Sequence, residues 1–378
     1  MHQQRPTSSR LRRRTLRLTS VMVIGAGVAL SACGSASKQG AASTVDSAIS
    51  ALGSSSSLNV QVSLGITAAQ AQTLVGRSGS TMTQSEATAL SRGAIFFTTQ
   101  TGHGEALDSK QALTDSNNAY DLGLQFGSQT PLELKYVNQN LYLRADANQL
   151  LTDLGQSPAK AAPLEKTLTQ LNSVVPGISQ LGGRNWVEVK QASLVSLEDL
   201  LKSAAGSNGT SQPSAAQIQS TLLQVRTDAH NTLEANSTFT SLGASNGRSE
   251  YAMTLNVRNF LTSFGPALQK DLSALPVVGQ KFDSGFTKLE GRVPAGQTAT
   301  AHLYTSGGKL SAIDVDLNQF AGKQKVNFPV PLRVAFTAPP AISAPSGATT
   351  LNLSNLPNLL QHLLGGLGAN KSAGASSL

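Results

Sequence analysis

The segment Leu30-Ser31-Ala32-Cys33 carries the clearest chemistry in this sequence. An apolar run, Val21–Leu30, leads straight into it, and Arg10, Arg12, Arg13, Arg14 and Arg17 lie upstream. A run of about ten apolar residues is too short to span a bilayer, which takes about 20, but it fits the core of a signal peptide. Small residues at 31 and 32 suit an extended chain entering a signal peptidase. The thiol of Cys33 is the group that would become a thioether to diacylglycerol. The pattern predicts a lipoprotein signal peptide over 1–32, acylation of Cys33 and a lipidated tether over 33–42. Arg13-Arg14 is also part of a twin-arginine signal, so that route and the general secretory route both stay open. Cys33 is the single cysteine, which excludes an intrachain disulfide. Two acyl chains hold a protein on a bilayer durably. The expected location is therefore the outer face of the cytoplasmic membrane, with that membrane as the first partner.

Other reactive residue types form no convincing constellation. Gly243-Ala244-Ser245-Asn246-Gly247 fits G-x-S-x-G, but a nucleophile elbow needs a strand before and a helix after. Here the segment lies between two strand-like patterns and reads as a hairpin loop. His103, His230, His302 and His362 show no HExxH or other metal spacing. Asp314 and Asp316 fall on one face of a strand pattern and read as solvated. No phosphate-binding loop and no dinucleotide fingerprint occurs. The expectation is a protein that is not an enzyme, with no catalytic residues, no metal and no cofactor.

The chain has 378 residues, 39% of them hydrophobic, so a sizeable core is available. Charged residues are only 13% and aromatics 4%, against about a quarter charged in ordinary globular chains. The formal charge of +8 comes mostly from the first 32 residues, which hold six arginines and no acid. Taking those six from the 29 Lys and Arg leaves 23 against 21 Asp and Glu, or about +2. No basic stripe interleaved with aromatics remains, so nucleic acid is not an expected partner.

Period-2 alternation dominates the rest. Val60–Ile66, Tyr120–Phe126, Leu132–Tyr136, Leu141–Arg144, Tyr251–Val257, Ile313–Leu317 and Leu332–Phe336 each alternate apolar and polar residues. That pattern gives antiparallel strands with one dry and one wet face. Gly307-Gly308 reads as a two-residue hairpin turn. Ser43 stands at capping-box spacing from Asp46, ahead of a helix with Val45, Ile49 and Leu52 on one side. Further helices are predicted over Thr67–Leu74, Gln84–Ser91, Asn148–Leu154, Leu164–Leu171, Leu194–Ser203, Ala215–Thr232 and within Asn256–Leu268. The 206–214 segment is a Gly/Ser-rich loop. The fold class is α+β: one large curved antiparallel sheet, a half-barrel, with helices packed on its concave side. We read 43–345 as a single domain with insertions near 67–92 and 194–232; a two-domain division near residue 210 is the alternative. Residues 346–378 form a leucine-rich tail. In it Leu356, Leu359, Leu360, Leu363, Leu364 and Leu367 make a helical apolar stripe, and the end is expected to be disordered. The stripe can dock on the sheet or touch the bilayer.

The order of these elements resembles the LppX/LprG-type lipoproteins of actinobacteria, whose half-barrel is related to the LolA carriers. The resemblance spans roughly 44–340. It runs through the first helix and strand, the hairpin Pro131–Asp146, Asn185–Val189 ("NWVEV"), Tyr251–Phe264, Thr298–Leu317 and Val334–Pro345. This chain departs from the family in its greater length, in its extra helices near 67–92 and 194–232, and in its tail. The resemblance implies a hydrophobic cavity between sheet and helices that takes acyl chains, hence a protein that binds and presents or transfers a lipid or lipoglycan. Alternation nominates Leu64, Leu122, Leu124, Leu134, Tyr136, Leu143, Met253 and Leu255 as lining residues; as single residues each also fits an ordinary core. The rival is a structural lipoprotein that scaffolds a cell-envelope protein partner and holds no ligand. A cavity without a polar constellation favours the first reading. A filled core with an exposed apolar patch favours the second.

Overall fold

The computed structural model describes residues 40–77, 79–193, 215–245, 247–272, 291, 293–322 and 325–353. The predicted signal peptide, Cys33 and most of the predicted tether, the predicted helix Leu194–Ser203, the 206–214 loop and the leucine stripe lie outside the described residues. Helices α1 (Ala41–Gly53), α2 (Ala68–Gly76), α3 (Gln84–Arg92), α4 (Lys110–Thr114), α5 (Ala147–Asp153), α6 (Ala162–Leu171), α7 (Ala215–Asn236) and α8 (Val257–Leu272) alternate with strands. The strands are β1 (Ser57–Leu64), β2 (Gly93–Gln100), β3 (Ala119–Phe126), β4 (Gln129–Val137), β5 (Asn140–Ala145), β6 (Val187–Val189), β7 (Ser237–Ser245), β8 (Arg248–Asn256), β9 (Thr298–Ser306), β10 (Lys309–Asp316), β11 (Pro331–Thr337) and β12 (Thr349–Thr350).

All twelve strands form one open curved sheet in the order β12-β6-β5-β4-β3-β2-β1-β11-β10-β9-β8-β7. Every pairing is antiparallel except β12 with β6. The α+β architecture expected from the alternation is what the chain adopts. Turn chemistry fixes the registers. Gly307 and Gly308, both at positive φ, close β9 onto β10. Asn138 and Gln139 adopt the same left-handed backbone between β4 and β5, which costs non-glycine residues more.

Two local features differ from expectation. Ser43 is not the cap of α1: the helix begins at Ala41 after Gly40, and the Ser43 hydroxyl donates back to the Gly40 carbonyl at 3.0 Å. Once the helix extends upstream, Ser43 lies inside its first turn and has no free amide to cap. True capping boxes stand at Thr67 with Gln70 and Thr83 with Glu86. Strand β2 belongs to none of the alternating runs, because Ile95-Phe96-Phe97 is apolar on both sides.

The alternation sorts the sheet into an apolar and a polar face. Helix α1 lies on the apolar face across β7–β11. Its Val45, Ala48, Ile49 and Leu52 pack on Tyr251, Leu303, Ile313, Val334 and Phe336. Helices α2 and α3 close the β1/β11 end through Ala71 and Ala87, against Ile66 and Val330. At the far edge Val187 and Val189 of β6 bury Leu351, with Leu141 and Leu143 beside them. On the polar face the segment after β11 crosses from β2, where the Ile342 amide donates to Gln100, to β12. It buries Ile342 against Ala119, Val137 and Tyr142 on the way.

Candidate functional site

Between the two covered ends of the apolar face lies the middle of the sheet, β2–β4. Direct cross-strand pairs line its residues up in three rows. One row runs Val62, Ile95, Leu124, Leu132; the next Val60, Phe97, Leu122, Leu134, Leu143; the third Leu58, Thr99, Tyr120, Tyr136, Leu141. In the first two rows Ile95 is 54%, Phe97 40%, Leu122 43% and Leu132 47% exposed. None of the four belongs to a buried cluster of the described residues. Four large apolar side chains exposed together on adjacent strands mark an interaction surface, whereas single ones would be unremarkable. The third row changes the chemistry. Phe97 stacks on Tyr120 at 6.2 Å between centroids, and Tyr120 meets Tyr136 at 6.1 Å. The Tyr120 hydroxyl accepts from Asn118. The strip is thus apolar along two rows and carries two phenols, Tyr120 and Tyr136, along the third. An amphipathic molecule with apolar chains and a polar end would match that order.

The nominated residues divide between this strip and the core. Leu122, Leu124, Leu134 and Tyr136 lie on the strip, and Leu143 at its border against β6. Leu64 packs on the α2/α3 cluster. Met253 packs under α1, and Leu255, next along β8 on that face, is half-buried. Ile95 and Phe97 escaped nomination because β2 lacks alternation. Leu132 alternates with its neighbours, and only the fold shows that it is uncovered. Cys33 lies outside the described residues.

No protein-family model matches the chain, and no curated protein matches it. What it does therefore rests on its own residues.

The polar face carries a charge network. Glu133 takes Lys135 Nζ at 3.2 Å and a close contact from Arg144; Asp121 takes Lys135 at 3.3 Å. Trp186 covers both cations, with its ring centre 4.9 Å from the Arg144 guanidinium and 5.5 Å from Lys135 Nζ. Burial pushes the Asp121 carboxyl above the usual carboxylate range; Lys135 opposes this and Glu133 adds to it. Farther along, Arg333 grips Asp314 with two hydrogen bonds of 2.8 and 2.7 Å. Asp316 accepts from the Asn318 and Val330 amides, so neither aspartate is merely solvated.

Ser245, His103 and His302 lie on different elements. Ser245 ends β7 and pairs with Arg248 in the β7–β8 hairpin, without the helix an elbow needs. His302 contacts Glu250 at 2.7 Å on the polar face. His103, Glu105 and Asp115 bring three possible metal-ligand atoms within 4.8 Å of one another, a grouping the sequence spacing does not announce. They already satisfy each other and the loop. His103 Nδ1 is 2.8 Å from Asp115, the Asn117 amide donates to Asp115, and the His103 amide donates to Glu105. The Asp115 hydrogen bond and charge hold the His103 imidazole above its ordinary pKa. A small hollow of about 330 Å³ beside it is lined by Ser56, Gln100, Thr101 and Pro339 among others.

Proposed function

We propose that this chain is a membrane-anchored, extracytoplasmic lipoprotein that binds the acyl chains of a lipid or lipoglycan on the β2–β4 strip and presents or transfers them without catalysis. The observation that carries the reading is the unbroken apolar strip with its phenolic margin, on the same sheet face as the helices. Each methylene taken out of water contributes about 0.8 kcal/mol, so chains laid along two apolar rows dominate binding and headgroup contacts tune it. Strands spaced about 4.8 Å apart make β2–β4 about 10 Å wide, room for two chains side by side. The lipobox at Cys33 supports a location on the outer face of the cytoplasmic membrane, where such ligands are found. The LppX/LprG-like order of elements agrees with a carrier.

One observation favours the second reading, a scaffold for a cell-envelope protein. The strip is open, and an open apolar patch suits a partner's apolar surface as well as a lipid. Native mass spectrometry with lipid extraction, on protein beginning at Gly34, separates the two. A stoichiometric lipid that disappears in Leu122→Asp or Leu132→Asp supports the carrier. A clean apo mass, with a protein partner lost in the same variants, overturns it in favour of the scaffold.

A further inference from the structure

The loop between β2 and β3 brings an imidazole and two carboxylates to one point. One ligand atom from each of His103, Glu105 and Asp115 lies within 4.8 Å of the other two. His103 Nδ1 is 2.8 Å from Asp115 Oδ2 and 3.7 Å from Glu105 Oε1. Nitrogen and oxygen ligands held about 2.1 Å from a metal stand about 3.0–3.4 Å from one another. The two separations bracket that range, so small side-chain rotations bring all three atoms onto one ion.

The backbone aims the two carboxylates. The His103 amide donates to Glu105 Oε2 at 3.2 Å, and the Asn117 amide donates to Asp115 Oδ1 at 2.9 Å. Oε1 and Oδ2 are left for the imidazole. The loop itself is pinned to buried groups. The Thr101 hydroxyl donates to the Glu105 carbonyl at 2.9 Å, and the Gly102 amide donates to Asn118 Oδ1 at 3.2 Å. Gly102 passes so near Asp115 that a Cβ there would come within 2.5 Å of Oδ2. Ligands arranged in advance lose little freedom when they bind.

The imidazole separates this group from an ordinary acidic patch. Carboxylates alone suit calcium and magnesium, whereas an imidazole nitrogen beside them selects zinc and its first-row neighbours. The Asp115 side chain is 9% exposed and that of His103 64%. The group is anchored on one side and open to water on the other, as a three-ligand site with a free coordination position must be. The hollow bordered by Gly102 and Gly104, the neighbours of His103, leaves space for water ligands.

We propose that His103 Nδ1, Glu105 Oε1 and Asp115 Oδ2 bind a divalent ion of the zinc class, with water completing its shell. The ion takes the place of the proton between imidazole and carboxylates. The contacts that satisfy the group without metal are thus the ones that arrange it for metal. The site goes beyond the lipid-binding reading and does not depend on it.

Zinc titration of the full-length chain carrying Cys33→Ser tests this, since that change removes the single thiol that would compete. The protein is stripped with chelator, and zinc is read by competition with a chromophoric indicator. One equivalent should bind. His103→Gln and Glu105→Gln should each weaken it at least about ten-fold, the loss that even an outer partner of a metal ligand causes. In thermal melts the zinc-free variants should match the parent, and zinc should raise the melting temperature of the parent more than theirs. Unchanged zinc binding by His103→Gln, or none by the folded parent, overturns the site. Calcium bound as tightly as zinc overturns the imidazole as a ligand. A readout on the parent needs no intact variant: zinc should shift the ring NMR signals of His103, and a ring that does not respond overturns the site whatever the variants do.

Discussion

Leu122 of β3 stands directly opposite Leu134 of β4, yet Leu122 is 43% exposed while Leu134 is half-buried. The pair marks where cover runs out. Toward β5 and β6 the apolar rows merge into the cluster built on Val187, and toward β2 they lie open. A charge placed on the open side meets water in the free protein, so binding and stability should separate there. Leu122→Asp should lower unfolding free energy by only about 1 kcal/mol, through lost strand propensity and partial burial, while losing most binding of a fluorescent fatty acid. Leu303→Ala, under α1, should do the reverse. Removing a fully buried leucine costs about 2–5 kcal/mol and leaves the strip intact. Urea melts and probe titrations on both variants check this, and equal stability losses would show that the strip is core.

Gly123 and Phe96 predict a compensating pair. They are cross-strand neighbours on the polar face, and a Cβ added at Gly123 would come within 2.4 Å of the Phe96 ring and 3.0 Å of the Leu132 carbonyl oxygen. Gly123→Ala should destabilise by about 1–3 kcal/mol through overpacking. Phe96→Leu should recover part of that loss, because the ring is the nearer obstacle. A double-mutant cycle measured by thermal melts gives the coupling, and strict additivity would show the ring is not what limits space at 123.

Asp121 sets a pH dependence on the same face. Its folded pKa is raised, chiefly by burial, so the folded state holds that proton more tightly than the unfolded chain. The resulting penalty applies in full above the folded pKa and is relieved as pH falls through it toward the ordinary carboxylate value. Asp121→Asn removes the penalty, while Lys135 keeps Glu133 as its partner. The stability difference, variant minus parent, should therefore be more positive at pH 7 than in acid. Urea melts over that range measure it; a difference that does not vary with pH would mean Asp121 titrates normally.

Cys33 predicts the anchor. Cys33→Ala should abolish acylation and leave uncleaved precursor, read by metabolic labelling with a fatty acid and by the mass of the membrane-bound form. A mature, membrane-bound Cys33→Ala protein would remove the lipoprotein reading.

The sequence by itself determined the α+β class and the dry face of most strands. Both depend on near neighbours, side chains that alternate every second residue. Leu122, Leu124, Leu134 and Tyr136 were legible as apolar-face residues for that reason. Strand β2 was not, because Phe96 lies over Gly123 on the opposite face and breaks the period. Nor was the metal-spaced group at His103, Glu105 and Asp115, whose members meet only when the loop between β2 and β3 folds. Which dry residues are core and which are open was decided by the tertiary structure alone. Alternation reports the side a residue points to, whereas cover depends on where distant elements land. Here α1 spans β7–β11 and packs on Met253, and the late strand β11 pairs with β1 to join early and late strands in one sheet. The same arrangement leaves Leu122 and Leu132 partly open to water, although their local sequence pattern is no different from that of buried strands.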